Sequence, residues 1–306
     1  MKPSARLAMV QQAPLAPRHG VSPSRVYLPA GPWATLFEFL CVRFPHMDPD
    51  ILQERLHRGD IVDALGQPRR ACDPYPANTW LWYYRQVPDE PPVPFSSPVL
   101  YQDELLVVVD KPHFLASTPG GRYLQETALT RVRQALSNPD ITPLHRLDRD
   151  TAGVLVFCVN PRYRGAYQGL FQARQVTKVY EAVAPGLHQG LPRTVQCRME
   201  QRPGHFTMQV TPGEPNSHTQ IERLRVQGAR ALYRLTPLTG RKHQLRLHMS
   251  LLGIPIENDV FYPNLQPMPP ADDFSRPLQL LARMLAFTDP VTGQPRCFTS
   301  ARNLAF

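Results

Sequence analysis

From Leu105 to the C-terminus, short apolar runs of strand length follow one another with few helix-length segments between them. Such runs lie at Leu105–Val109, Val154–Val159, Val176–Val183, Phe206–Val210, Thr219–Val226, Ala231–Leu235 and Leu278–Phe287. Helical spacing of apolar residues marks only Gln125–Leu136, Tyr163–Arg174 and Lys242–Leu252, the last stopped by Gly253 and Pro255. A parallel neighbour needs a long crossover, usually a helix, whereas antiparallel strands can be joined directly. The pattern therefore predicts an α+β fold: a mixed, mostly antiparallel central sheet with flanking helices and loops, and not a doubly wound sheet.

A smaller unit precedes this one. Trp33, Leu36, Phe37, Phe39, Leu40 and Phe44 recur at helical spacing, and Ile51, Leu52 and Leu56 mark a second short helix. Arg58-Gly59-Asp60-Ile61-Val62, a turn at Leu65-Gly66 and a strand-like run at Thr79–Tyr84 complete a small α+β module over 31–87. Residues 1–30, rich in Pro, Ser and Arg and without an apolar period, read as a flexible tail. Pro88, Pro91, Pro92, Pro94 and Pro98 make 88–98 a semi-rigid linker. That leaves 99–306 as the larger domain.

Several function classes lack support. No run of about 18 apolar residues exists to cross a membrane, and the N-terminus has no apolar core of signal-peptide length. The five cysteines (Cys41, Cys72, Cys158, Cys197, Cys297) are scattered and never form C-x-x-C, so neither a disulfide framework nor a structural zinc site is expected. Reduced thiols in the cytoplasm are the simpler reading. There is no phosphate-binding glycine loop, H-E-x-x-H or G-x-S-x-G, and no cofactor or metal is expected. His243 and His248 are five apart, a spacing that does not stack them on one helical face. The chain carries a net charge of +9, and all but four of its 34 basic residues are arginines. Arginine suits bidentate phosphate contacts and stacking on bases, so an anionic polymer is a fitting partner; a biased genome composition would explain the arginines and the 35 prolines equally well.

Three segments can carry chemistry. In His145-Arg146-Leu147-Asp148-Arg149-Asp150-Thr151-Ala152-Gly153 a carboxylate stands between two arginines just before a hydrophobic strand. The neighbouring cations keep Asp148 ionised, fit to act as nucleophile or base, and Arg146 and Arg149 can hold a phosphodiester; an ion-paired loop is the bland alternative. Gly240-Arg241-Lys242-His243-Gln244-Leu245-Arg246-Leu247-His248-Met249 crowds five potential cations. As a helix it would put Lys242, Arg246 and Met249 on one face and hold the core with Leu245, Leu247 and Leu252. In Lys178-Val179-Tyr180-Glu181-Ala182, Tyr180 can offer a cleft an aromatic face and a hydroxyl, although sheet tyrosines are commonly structural.

Together these segments resemble the RluA-type RNA pseudouridine synthases, as do Leu105–Pro112 and Gly253-Ile254-Pro255-Ile256 with Asp259 and Tyr262. The resemblance spans about 100–290. The smaller unit is more weakly similar to an S-four-like RNA-binding module, through Leu36–Phe44 and Arg58–Gly66. The resemblance implies isomerisation of uridine to pseudouridine in structured RNA, large-subunit ribosomal RNA ahead of transfer RNA, by a cytoplasmic monomer. It implies Asp148 as the catalytic aspartate, Tyr180 stacked on the target base and Arg246 as the basic partner of the aspartate. Arg146 would enter the space left by a flipped nucleotide, and Arg149, Arg241, Lys242, His243, Lys111 and Arg58 would contact RNA. Three positions depart from the family pattern: His113-Phe114-Leu115 and Asn258 stand where glycine is frequent, and Lys242 where Thr or Ser is common. A catalytically idle RNA-binding protein and an aspartate-based hydrolase of small phosphates are the rival classes. The hydrolase would want metal-binding carboxylates beside Asp148, where only Asp150 stands between arginines.

Overall fold

The computed structural model describes residues 13–87, 90–186, 190–201 and 204–306. The chain divides into two compact units, Met1–Pro88 and Asp89–Phe306.

In the smaller unit, β1 (Ser24–Leu28), α1 (Leu36–Arg43), α2 (Pro49–His57), β2 (Ile61–Val62) and β3 (Thr79–Tyr83) form a three-stranded antiparallel sheet, order β1-β3-β2, with two helices. The helices start where side chains satisfy their free N–H groups. Thr35 accepts from Glu38 N–H while Glu38 reaches back to Ala34 N–H, and Asp48 caps α2 ahead of Pro49. Leu28, Leu36, Leu40, Leu52, Leu56 and Leu81 fill the core. β1 corrects the reading of 1–30 as tail. Only Val26 and Leu28 of this five-residue strand point inward, too few to show a period. Residues 1–12 of that segment lie outside the described residues.

The larger unit contains β4 (Val99–Gln102), β5 (Leu106–Lys111), α3 (Ala128–Ala135), β6 (Thr142–Pro143), β7 (Ala152–Cys158), α4 (Arg164–Gln172), β8 (Thr177–Pro185), β9 (Arg193–Glu200), β10 (Gln209–Thr211), β11 (Ser217–Gln227), β12 (Arg230–Pro237), α5 (Gln244–Leu251), β13 (Leu280–Thr288) and β14 (Pro295–Thr299). One sheet runs β10-β9-β11-β12-β8-β13-β7-β5-β4, with β14 on β13 and β6 on β7. Every pairing is antiparallel except β13 with β7. The α+β, mostly antiparallel architecture expected from the strand spacing is the one observed.

β5 and β7 are buried along their whole length because both faces are covered. Val107, Val109, Leu155 and Phe157 pack on Leu129 and Val132 of α3; Leu106, Val108, Val154 and Val156 pack on Tyr167 and Leu170 of α4. Gly153, the second residue of β7, has φ +113°, and a Cβ there would stand 2.2 Å from Ala282 O, so only glycine lets β7 close on β13. Residues 90–98 are not a spacer. The Glu90 carboxylate accepts the backbone N–H groups of Leu124, Gln125 and Glu126, Val93 is buried in the core, and Arg131 donates to the Val93 and Phe95 carbonyls.

Candidate active site

The loop between β6 and β7 delivers Asp148, and it is fixed through its backbone. Ser117 Oγ donates to Leu147 O (2.7 Å) and accepts from Leu147 N–H (3.0 Å). Lys111 Nζ donates to Pro112 O, Leu115 O and Arg149 O at 2.7–3.0 Å. His113 Nδ1 meets Asp150 O at 2.7 Å, and Thr151 N–H closes a turn on Asp148 O at 3.1 Å. The Asp148 side chain is thereby left free to face a cavity.

α5 delivers Arg246. Its polar residues bolt it to β11: Gln244 Nε2 donates to His218 O and Thr219 Oγ1, and His248 contacts Thr219 Oγ1 and Ser217 Oγ at 2.9 and 3.0 Å. Leu245 and Met249 enter one core cluster and Leu247 another. Arg246 then meets Asp259 through two hydrogen bonds, Nε to Oδ2 at 2.8 Å and Nη2 to Oδ1 at 2.6 Å, with both side chains 1% exposed. The third nitrogen, Nη1, is buried without a hydrogen-bond partner and lies 3.7 Å from Asp148 Oδ2. A bidentate clamp on one carboxylate thus aims the remaining donor at the other.

Asp148, Arg246, Tyr180 and Lys178 line a cavity of about 90 Å³. Arg146 and Arg241 line it too, and it shares these walls with a groove of about 750 Å³ that adds Arg174 and Lys242. Asp148 keeps 32% of its side-chain exposure through this mouth. Burial pushes its pKa above the usual carboxylate value, against the pull of Arg246, Lys111, Lys242 and Arg146. The result is a carboxylate more basic than a surface aspartate. The Tyr180 phenol is held protonated, by burial first and by the Asp148 charge second. Among the described residues Asp148 is the groove's lone acidic one. Arg146, Arg174, Lys178 and Arg241 have no carboxylate partner among the described residues, and burial lowers the pKa of Lys178. Cations left unpaired around a single carboxylate make a site for a polyanion. The small unit has a concavity of about 780 Å³, but its Arg58 is neutralised by Glu54 and Asp60, at 3.0 and 2.8 Å.

Seven expected residues therefore line one groove: Asp148, Tyr180, Arg246, Arg146, Arg241, Lys242 and His243. Four expected RNA contacts do not fit that role. Lys111 is fully buried and staples the loop; burial draws its pKa down to about 7, yet its three carbonyl partners take one proton each, which only the ammonium supplies. His243 precedes α5 in a left-handed conformation, buried against Phe261 and Tyr262, with its pKa pressed to about 3 by burial and by Arg246; it is neutral. Arg149 pairs with Asp150 and lies over Phe114 and Tyr123. Arg58 belongs to the other unit with both carboxylates on its guanidinium. The face expected to join Lys242, Arg246 and Met249 does not form, because α5 begins at Gln244 and Met249 is in the core.

Sequence reasoning missed Arg174 and the clamp role of Asp259. Arg174 ends the turn after α4 at φ +58°, and nothing in its neighbours marks it. Asp259 was visible as part of a motif, but only its contact with Arg246 gives it a purpose. Phe114 and Asn258, the departures from glycine, adopt φ +66° and +63°. Asparagine tolerates that region; Phe114 is held in it by rings from Phe95 and Phe274.

Replacing Lys111 with methionine should cost about 2–3 kcal/mol, since three partly buried carbonyls lose a charged donor. A thermal melt checks this; an unchanged Tm would remove the staple role.

A family model for RNA pseudouridylate synthase matches residues 105–251. A dual-specificity RNA pseudouridine synthase RluA of Haemophilus influenzae is 34% identical over 228 residues, covering 69% of this chain and 95% of that protein. This chain belongs to the RluA-type RNA pseudouridine synthase family. The Salmonella typhi RluA, also named a dual-specificity RNA pseudouridine synthase, is 34% identical over 65% of this chain and 90% of its own length. Among solved structures, human RNA pseudouridylate synthase domain containing 4 superimposes with a TM-score of 0.54 at 26% identity, covering 67% of this chain and 88% of that one. As an RNA pseudouridine synthase the chain is an isomerase acting on uridines in RNA. No helix among the described residues is long and apolar enough to cross a membrane.

Proposed function

We propose that Asp148 is the catalytic aspartate of this synthase. The reaction breaks the bond from the ribose to uracil N1, turns the base and joins the ribose to C5. The C5 proton leaves and N1 gains one, so nothing is consumed. In this reading Asp148 supplies the electron pair, either as nucleophile or as base. Nη1 of Arg246 holds its carboxylate, and the Tyr180 ring stacks on the uracil while its hydroxyl assists removal of the C5 proton. Reaching the base requires flipping it from its stack, at a cost of a few kcal/mol. Arg146, inserted where the nucleotide stood, and phosphate contacts from Arg174, Lys178, Arg241 and Lys242 offset that cost. The observation that carries the proposal is the set of groove cations without a carboxylate partner around one half-buried carboxylate.

The RNA we assign is a structured one, large-subunit ribosomal RNA and transfer RNA both. The dual-specificity names of the bacterial relatives support two substrate classes, as does the mitochondrial tRNA pseudouridine(32) synthase of Saccharomyces cerevisiae, 31% identical over 57% of this chain and 39% of its own length. The smaller unit is read as an S-four-like module that adds RNA contacts. Its charges are nearly balanced, eight arginines against seven acidic residues over 13–87, so the main electrostatic grip falls to the groove. The proposal has the protein acting in the cytoplasm as a monomer, without metal or cofactor.

The test uses transcripts of large-subunit ribosomal RNA segments and of transfer RNAs labelled with tritium at uridine C5. Tritium should be released to water, unaffected by a chelator. Release from neither class overturns the assignment of substrates, and release that the chelator stops overturns the metal-free reading.

Tyr180→Phe should bind RNA normally and lose about 10²-fold in single-turnover rate, the low end of what a proton-transfer group supplies. Tyr180→Ala should lose binding too. Equal rates for Tyr and Phe would confine the residue to stacking. Arg174→Ala should weaken binding and reduce the slope of log K against log salt by about 0.7–0.9, one phosphate contact. Arg58→Ala, whose guanidinium is already paired, should leave that slope unchanged. Equal effects of the two on binding would refute the division.

A further inference from the structure

An aromatic side chain that the isomerisation does not use stands at the rim of the groove. Phe206 is 60% exposed, yet its ring is anchored. The Lys242 ammonium lies 3.8 Å over the ring centroid and donates to Phe206 O at 2.5 Å. The rings of His243 and Phe261 approach it at 5.4 and 5.1 Å. These anchors all touch the site: Lys242 lines the groove, His243 lines the cavity beside Asp148, and Phe261 lies 4.6 Å from the Arg246 guanidinium.

We propose that Phe206 is a stacking subsite for the nucleobase next to the target uridine, with the Lys242 ammonium taking the phosphate between them. The proposal rests on the reading that this groove carries RNA. A phenyl ring left mostly in water forgoes burial that a planar base would restore. Its position is already fixed by three neighbours, so little further ordering is needed on binding. A ring paired with a cation is the combination that single-stranded nucleic acid sites use, bases stacking on the ring while the cation follows the backbone. The chemistry also calls for it here. When a uridine leaves its stack, the neighbouring base loses a stacking partner, and a protein ring can take that place. Stacking of this kind tolerates any base, so it would tighten binding around the target without dictating sequence.

The competing role for Phe206 is an apolar cover over His243 and Phe261, which leucine would also fill. The experiment takes the shortest transcript from which the full-length chain releases C5 tritium and places 2-aminopurine on the 5′ side of the target uridine in one RNA and on the 3′ side in another. Phe206→Leu should raise the half-saturating concentration in single turnover by about tenfold, within the range measured for loss of one base–ring stack. Phe206→Trp should restore it. The loss should fall on that concentration and not on the saturating rate. The wild type and the Trp variant should quench one of the two probes, and the Leu variant should quench neither. Wild-type affinity in Phe206→Leu, or quenching that survives it, overturns the subsite. A collapse of the saturating rate with affinity unchanged also overturns it, by moving Phe206 into the chemistry. Tritium release by the wild type is scored first, so failure of the RNA reading shows there, before any variant is compared.

Discussion

Asp148→Asn is expected to fold, to bind RNA and to lose turnover by at least about 10⁴-fold, since it removes both a nucleophile and a base. The loop that carries it depends on backbone contacts from Ser117, Lys111, His113 and Thr151, none of which the substitution touches. Among the described residues one cation comes within 4 Å of the side chain, Arg246 Nη1 at 3.7 Å. The amide keeps the shape and loses the charge. Stability should not fall. Burial raises the pKa of Asp148 in the folded chain, so its ionised form is less favourable folded than unfolded at neutral pH. That penalty disappears below both pKa values, where the group is protonated in either state, and disappears with the amide at every pH. A Tm equal to or slightly above the parent's, with tritium release lost, is the expected pair of results. Comparable turnover in the two proteins would end the assignment of Asp148.

Arg246→Met should be inactive for a different reason and should also be unstable. Its guanidinium is buried on Asp259, whose carboxylate accepts the Phe261 and Tyr262 N–H groups as well, at 2.8 and 3.2 Å. Removing the arginine strands a buried carboxylate, a loss of about 3–5 kcal/mol. Lysine is a poor substitute, because a single ammonium cannot hold Asp259 in two bonds and still face Asp148. Stability and catalysis can be separated. In Arg246→Met/Asp259→Leu no charge is stranded, and much of the lost stability should return while activity does not. Residual activity in either variant should show its acid limb at higher pH, since Arg246 is the largest influence holding the Asp148 pKa down. Recovery of activity along with stability would mean that Arg246 is structural only.

The fold was legible where burial imposes a strong pattern. β5 and β7 are continuous apolar runs because helices cover both faces, and the three amphipathic helices of the larger unit appear within a few residues of their expected places. The strands that were missed are β1, β4, β6, β9 and β14. β9, Arg-Thr-Val-Gln-Cys-Arg-Met-Glu, fully buries only Val195 and Met199, and β6 is two residues long. Such elements are specified by their neighbours, not by their own period. Asp148, Tyr180 and Arg246 were legible from their motifs. Which cations are free was not. Lys111, His243 and Arg149 look like Arg146 and Arg241 in a sequence, and only the carbonyls, rings and carboxylates around them separate staples from contacts. Arg174 reaches the groove because of the left-handed turn that ends α4, a feature with no local signal.

The most direct measurement is a map of pseudouridines in ribosomal and transfer RNA from cells lacking this gene, complemented with the wild type or with Asp148→Asn at matched protein levels. At least one pseudouridine should vanish in the deletion, return with the wild type and stay absent with Asp148→Asn. If no site is lost, or if the asparagine variant restores it, the groove around Asp148 is not where this protein makes pseudouridine.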